Sequence, residues 1–317
     1  MADCIKPRFY PNSYDWLGRP VPNACGVCVN CRINKISSLE IRAKWELKNF
    51  NDVSFVRFSY DDYHLPYKPY GAIPSVDKQG WQDYLDKLRH YVKYHQPKNC
   101  DPNFKMLSCG EYGSDKNRPH CHGIFFGISP WLGRKNNPVF SKTWVNGFVE
   151  PLPYESGSIR YVLKYLEKSV NGELADSQFF DKSIEKPFVI WSKGLGSGFY
   201  LSQSDNIAKF GSAMLNGKPV YTPPYYRNKY AEFSLERLRF IENRRLEYED
   251  KLLTTAKFQG FSDLESFKRY RASVRAKTQL VKSRDNRSNF SLDDFSALNQ
   301  ERCSDKLFNM SEVLNCL

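Results

Sequence analysis

The stretch Arg118-Pro119-His120-Cys121-His122-Gly123-Ile124-Phe125-Phe126 sets two histidines two residues apart among β-forming side chains. In a strand, residues i and i+2 point to the same face. His120 and His122 therefore project together and can share a cation. Upstream, Phe104-Lys105-Met106-Leu107-Ser108-Cys109-Gly110-Glu111-Tyr112 reads as a second strand. The residues between are turn formers, Gly113-Ser114-Asp115-Lys116-Asn117. A hairpin centred near Asp115 and Lys116 sets Glu111 opposite His120 or Cys121, with facing Cβ atoms roughly 5 Å apart. Glu111, His120 and His122 then converge as one carboxylate and two imidazoles. Such mixed oxygen and nitrogen donors suit Mn²⁺, Mg²⁺ or Zn²⁺ and leave coordination positions open.

Downstream, Ser158-Ile159-Arg160-Tyr161-Val162-Leu163-Lys164-Tyr165-Leu166-Glu167-Lys168 reads as a helix. Tyr161 and Tyr165 stand four apart, so they share a face about 6 Å apart along the axis. Lys164 and Lys168 flank them. A lone His-x-His is more often structural, and tyrosines at i and i+4 are usually packing. The order and spacing of all three parts together point to a metal-dependent site.

A His-hydrophobic-His strand followed by a Tyr-x-x-Lys-Tyr helix resembles the HUH endonucleases, the rolling-circle replication initiators. The spelling Gly110-Glu111-Tyr112-Gly113, Arg118-Pro119-His120-Cys121-His122 and Tyr161-Val162-Leu163-Lys164-Tyr165 is more narrowly similar to the initiators of gokushovirus-type Microviridae, small single-stranded DNA phages. Ser54-Phe55-Val56-Arg57-Phe58-Ser59-Tyr60 resembles that family's first motif strand, with Arg57 and Ser59 where threonines are usual. Cys25-Gly26-Val27-Cys28-Val29-Asn30-Cys31-Arg32 resembles its N-terminal cysteine cluster. The likeness runs over residues 4 to 200. It implies an origin-nicking enzyme with a divalent metal, Mn²⁺ or Mg²⁺, on Glu111, His120 and His122. It implies Tyr161 and Tyr165 as nucleophiles, assisted by Lys164, forming a 5′-phosphotyrosine and then rejoining the strand into a circle. The partners implied are single-stranded and viral origin DNA, a host helicase and a DNA polymerase, in the cytoplasm of a bacterial host. Arg57, Arg118 and Lys168 are candidate DNA contacts. The competing class is a non-catalytic nucleic-acid-binding protein. A third, a zinc hydrolase acting through water, leaves the tyrosines unexplained.

Composition agrees with a polyanionic partner. The chain has 317 residues, 47 Lys and Arg against 35 Asp and Glu, and a net charge of +12. Neutralising phosphates releases counterions, which favours DNA. The aromatic content of 15% offers stacking surface for unpaired bases, although most rings must be core. No signal pattern or apolar run of about 20 residues argues for export or a membrane span. Nine cysteines without an export signal argue for a reducing compartment. Cys25, Cys28 and Cys31 form CxxCxxC, and Cys4 offers a fourth thiol. Four thiolates satisfy a tetrahedral zinc; an iron–sulfur cluster is the weaker alternative.

The expected elements are a helix over 32–50, a strand over 53–60 and a helix over 81–95. The hairpin over 104–127 follows, then a strand near 144–150, the tyrosine helix over 158–170 and a strand over 188–191. This order predicts an α+β fold, a split βαβ, ferredoxin-like antiparallel sheet with helices on one side. The glycines of Gly194-Leu195-Gly196-Ser197-Gly198 form a plain turn or a phosphate-approaching loop. Ser262-Asp263-Leu264-Glu265 reads as a capping box opening the second helix of a basic hairpin. The expected segments are a Cys-rich start with a basic helix (1–50), a catalytic core (51–225), the helical hairpin (226–287) and a polar tail (288–317).

Overall fold

The computed structural model describes residues 4–14, 18, 20–113, 117–167, 176–204, 207, 213–215, 218–220, 222–226 and 235–285. The chain divides into two compact units: Ile36–Arg237, and Met1–Lys35 together with Leu238–Leu317.

The first unit is built on alternation. Val53-Ser-Phe-Val-Arg-Phe-Ser-Tyr60 forms strand β1 (Val53–Tyr60), in which Val56, Phe58 and Tyr60 are buried on one face. Helix α2 (Lys78–His95) follows and leads to β2 (Cys100–Tyr112), which pairs with β3 (Pro119–Ile128). The short strands β4 (Trp131–Leu132) and β5 (Lys135–Asn136) pair with each other. Helix α3 (Pro138–Thr143), strand β6 (Gly147–Pro153), helix α4 (Ser158–Glu167) and strand β7 (Phe188–Trp191) come next. The main sheet has the order β6-β1-β3-β2-β7, and every neighbouring pair is antiparallel. β3 is thus inserted between β1 and β2, as a split βαβ requires, and β7 adds a fifth strand.

The expectation of helices on one side is corrected. One sheet face carries Val56, Phe58, Met106, Cys121 and Phe125 against Trp81, Leu85 and Leu88 of α2 and Phe140 of α3. The other carries Leu107, Cys109, Ile124 and Phe126 against Leu39 and Ala43 of helix α1 (Val29–Glu46) and Ile159, Val162 and Leu163 of α4. Both faces of the central strands are apolar, so each needs a helical cover. Trp81, fully buried, donates its indole N–H to Ser108 Oγ at 2.9 Å.

Other boundaries shift for local reasons. α2 begins before Trp81 because the Asp77 carboxylate accepts the Gly80 N–H at 3.0 Å, an N-cap. The Pro138 region, read as loop, is a short helix: Asn137 caps it, and Pro138 stands at its start, where a missing N–H costs nothing. β6 is 147–153 rather than 144–150, with Trp144 capping α3.

The glycine loop is a structural turn. Gly196 has φ +76°, and its N–H is donated to the buried carboxylate of Glu46. Tyr226 donates its hydroxyl to the Leu195 carbonyl beside it. The backbone donor that a phosphate would need is already engaged. Helix α5 (Ser197–Ser202) follows, and strands β8 (Ala213–Leu215) and β9 (Lys218–Val220) make a small hairpin. Trp45, Tyr200, Ile207 and Tyr226 form the core here.

In the second unit, helices α6 (Leu235–Phe258) and α7 (Leu264–Asp285) bury Leu252 and Ala256 against Phe267. The cap of α7 is Asp263 rather than Ser262. Its carboxylate accepts the Ser266 N–H at 2.7 Å and the Ser266 hydroxyl at 2.6 Å. A carboxylate at that position also complements the helix dipole. The expected tail, 288–317, lies outside the described residues. Among the described residues, no helix is long and apolar enough to cross a membrane.

Candidate active site

The β2–β3 register pairs Glu111 with His120 and Cys109 with His122. Directly opposed residues share a face, so Glu111, His120 and His122 stand together, while Cys121 turns into the opposite core. The same face continues across β1, where Arg57 faces His122 and Ser59 faces His120. Helix α4 lies over it and brings down Tyr161.

One atom gathers the site. Glu111 Oε1 lies 3.0 Å from His120 Nε2, 2.9 Å from His122 Nε2 and 3.0 Å from the Tyr161 hydroxyl, which donates to it. Tyr161 Oη is also 3.4 Å from His122 Nε2. Glu111 and His122 are 3% and 5% exposed. Burial works to raise the Glu111 pKa, but its bonds and charge interactions with the two histidines outweigh burial and hold it down at about 2. Burial pulls His122 below the usual imidazole value against the pull of Glu111. An ionised carboxylate thus faces a neutral His122 at neutral pH. Burial first, and the Glu111 charge second, push the Tyr161 phenol well above its usual range, so it rests protonated.

The donor set fits a divalent ion. His120 Nδ1 lies 3.0 Å from the Arg118 carbonyl, which can only accept. That tautomer leaves Nε2 with a lone pair aimed at Glu111. The nitrogen–oxygen separations of 2.9 and 3.0 Å match the roughly 3.0 Å between adjacent ligands of an octahedral ion bonded at about 2.1 Å. His122 Nδ1 is buried with no hydrogen-bond partner among the described residues, so its Nε2 is the atom that reaches the group. Glu111, His120 and His122 form one candidate metal group, and Cys4, Cys25, Cys28 and Cys31 form another.

The remaining sequence-derived candidates fall as follows. Tyr165 is one turn from Tyr161, with ring centroids 6.1 Å apart, and is 8% exposed within the helix-covered core. Lys164 places its ammonium 3.7 Å from the Tyr161 ring centre and 4.9 Å from that of Tyr165, over the ring faces. Arg57 pairs with Glu150 on β6 at 2.6 Å. Arg118 bonds Asp62 at 2.7 Å and the Tyr60 carbonyl at 2.8 Å, fixing the backbone that orients His120. Lys168 lies outside the described residues, as do Asp115 and Lys116 at the hairpin tip. Sequence reasoning missed Phe55. Its ring stacks on His122 at 5.6 Å and meets Tyr161 edge-on at 5.7 Å. The signal was present: Phe55 is two residues from Arg57 on the same strand face.

Residues 54–170 match the family model of the ORF2-type replication-associated proteins. That span holds all of Glu111, His120, His122, Tyr161 and Tyr165. Among curated proteins, the chain is 28% identical to replication-associated protein ORF4 of Chlamydia phage 1 over 223 residues, 65% of this chain and 53% of that one. It is 26% identical to replication-associated protein ORF2 of Spiroplasma virus 4, over 61% of each chain. It is 25% identical to replication-associated protein VP4 of Bdellovibrio phage phiMH2K, over 46% of this chain and 48% of that one. The matches span about half to three-fifths of these relatives' lengths. Together they fit a Microviridae-type replication-associated protein. No solved structure matches.

Proposed function

We propose that this chain initiates rolling-circle replication by nicking single-stranded phage origin DNA through Tyr161 and later rejoining the strand. The observation that carries the reading is the meeting of Tyr161 Oη, His120 Nε2 and His122 Nε2 on Glu111 Oε1. A structural tyrosine has no need of two imidazoles beside a single buried carboxylate. A Mn²⁺ or Mg²⁺ ion held by Glu111, His120 and His122 would supply Lewis-acid polarisation of the scissile phosphate.

The chain's own groups account for the rest. Tyr161 Oη attacks phosphorus, the Oη–P bond forms and the P–O3′ bond breaks. The phenolic proton already points at Glu111 Oε1, an acceptor. The leaving 3′ oxygen takes a proton from solvent. Lys164, over the ring, favours negative charge as it develops on the phenolate. Phe55 holds the His122 and Tyr161 rings in place. The phosphotyrosine retains its ester energy, so the reverse attack by a 3′-hydroxyl joins ends without ATP. Tyr165 is the acceptor for a second transfer, which releases a circle. A host helicase and polymerase complete the cycle.

The test is incubation with single-stranded oligonucleotides tiling the phage genome, with Mn²⁺ or Mg²⁺. A covalent adduct on a denaturing gel, mapped to Tyr161 or Tyr165, is expected. DNA binding with no metal-dependent cleavage would identify a binding protein instead, and cleavage without an adduct a hydrolase.

A further inference from the structure

We infer that Cys4, Cys25, Cys28 and Cys31 bind one structural zinc ion as four thiolates, and that this ion locks the N-terminal segment against helix α7. The four sulfurs lie within 4.8 Å of one another, although Cys4 is 21 residues from Cys25. Cys4 Sγ is 3.9 Å from Cys28 Sγ, and Cys25 Sγ is 3.9 Å from Cys31 Sγ. A tetrahedral zinc with Zn–S bonds of about 2.3 Å sets its sulfurs about 3.8 Å apart. Disulfide sulfurs stand at about 2.05 Å, and all four cysteines are free.

The surroundings favour the anionic sulfurs that zinc requires. The Cys25 N–H donates to Cys4 Sγ and the Cys28 N–H to Cys25 Sγ, both at 3.3 Å. Cys28 immediately precedes helix α1 and Cys31 lies in its first turn. A helix N-terminus stabilises thiolate. Four soft ligands around one centre select zinc over Mg²⁺ or Ca²⁺. An iron–sulfur cluster interposes several irons and sulfides, and so holds its cysteine sulfurs farther apart than one ion does. Four protein ligands also leave no open position, which marks a structural site rather than a catalytic one.

The ion has structural work here because little else holds the segment. Residues 4–28 contain two isolated bridges, Arg8 with Asn23 and Tyr14 with Pro20, and no longer strand or helix among the described residues. The adjoining apolar cluster is small, with Ile5, Val29 and Ile33 against Ala276 of α7. The Asn30 amide donates to the Ala272 carbonyl of α7 at 3.0 Å. Fixing Cys28 and Cys31 sets the first turn of α1, and with it Val29, Asn30 and Ile33. When a site forms only in the folded state, its metal affinity becomes folding stability.

The full chain, purified reduced and without a histidine tag, should carry about one zinc per molecule. After acid removal of zinc, Co²⁺ should give the thiolate charge-transfer band and the strong d–d bands of a tetrahedral sulfur site. Cys28→Ser and Cys31→Ser should each lose the metal, while Cys100→Ser and His122→Ala keep it. The His122 variant separates this site from the nicking centre, so either idea can fail alone. In wild type, zinc removal should speed amide exchange in 29–33 and 264–276 but not in 119–128. The cobalt and exchange measurements need no variant, and so stand even if the serine variants aggregate. Protein without zinc that gives no cobalt–thiolate band would overturn the inference, as would iron with sulfide, or zinc retained in both serine variants.

Discussion

Tyr161 and Tyr165 are equivalent in the sequence, one helical turn apart beside one lysine, and the structure separates them. The Tyr161 hydroxyl donates to Glu111 at 3.0 Å, while Tyr165 is 8% exposed and packs in the core beneath α4. If proximity to the carboxylate–imidazole group decides the first attack, the two do not exchange roles. Tyr161→Phe keeps the ring and its contacts with Phe55 and His122 but removes the attacking oxygen. It should yield no adduct on the first cut with any oligonucleotide. Tyr165→Phe should still cut and form the adduct at Tyr161, yet release no closed circle. Peptide mapping decides: a first-cut adduct on Tyr165 would reverse the order, and circle release by both single variants would rule out a two-tyrosine cycle. At this scale the sequence reached far. Period two in a strand put Glu111, His120 and His122 on one face, and period 3.6 put both tyrosines on one stripe. It did not reach the inequality of the tyrosines, which depends on how far α4 is rotated over the sheet, nor Phe55, whose role appears only when α4 closes on β1.

Elements show where pattern reading succeeds and where tertiary context decides. Strand β1 is read to the residue because its burial alternates. The cover on the second sheet face was missed because buried central strands lose the alternation that reveals a solvent side. The glycine loop was ambiguous because positive φ serves a phosphate cradle and a buried turn equally; only the Glu46 carboxylate settles it. Gly196→Ala tests that turn. At φ +76° a Cβ is strained, and it would overlap the Tyr226 hydroxyl and the Arg42 carbonyl. We expect a loss well above the 1 kcal/mol or so of an ordinary glycine change, read as a lower urea midpoint, whereas a phosphate-binding loop would lose DNA affinity at unchanged stability. The contact between α1 and α4 gives a pH test. Glu40 on α1 pairs with Lys44 at 2.7 Å and with Arg160 of α4 at 3.4 Å. Burial works to raise its pKa, but those two cations outweigh it and hold the carboxyl below the usual value of 4.5. A depressed folded pKa contributes stability above the unfolded pKa, and that stability disappears as pH falls through the folded one. Both partners are largely exposed, so the contribution is no more than about 1 kcal/mol. Glu40→Gln should therefore lower the urea midpoint slightly at pH 7 and match wild type once pH is well below 4.5. An equal loss at both pH values would assign the effect to packing.

For the whole molecule, the excess of 47 basic over 35 acidic side chains and the compact nicking group make separate contributions. Binding to single-stranded DNA draws on charge spread across the surface, whereas cleavage depends on a few atoms around Glu111. The two should respond to different perturbations. If about five phosphates are neutralised, log affinity falls with log salt at a slope near −3.5 for a single strand, so raising salt from about 50 to 200 mM weakens binding about a hundredfold. His122→Ala removes one donor from the nicking group and no formal charge from the surface, since that imidazole is buried and neutral. Its binding isotherm and salt slope should overlay wild type while adduct formation disappears, and Mn²⁺ should not restore it. Chelation is a poorer instrument, because it would strip the cysteine site as well. The comparison is therefore best made at fixed metal, with binding followed by fluorescence anisotropy and cleavage by denaturing gel on the same oligonucleotide. A binding loss in His122→Ala as large as its cleavage loss would mean that the imidazole group anchors the DNA, and salt-insensitive binding would remove distributed charge as the source of affinity.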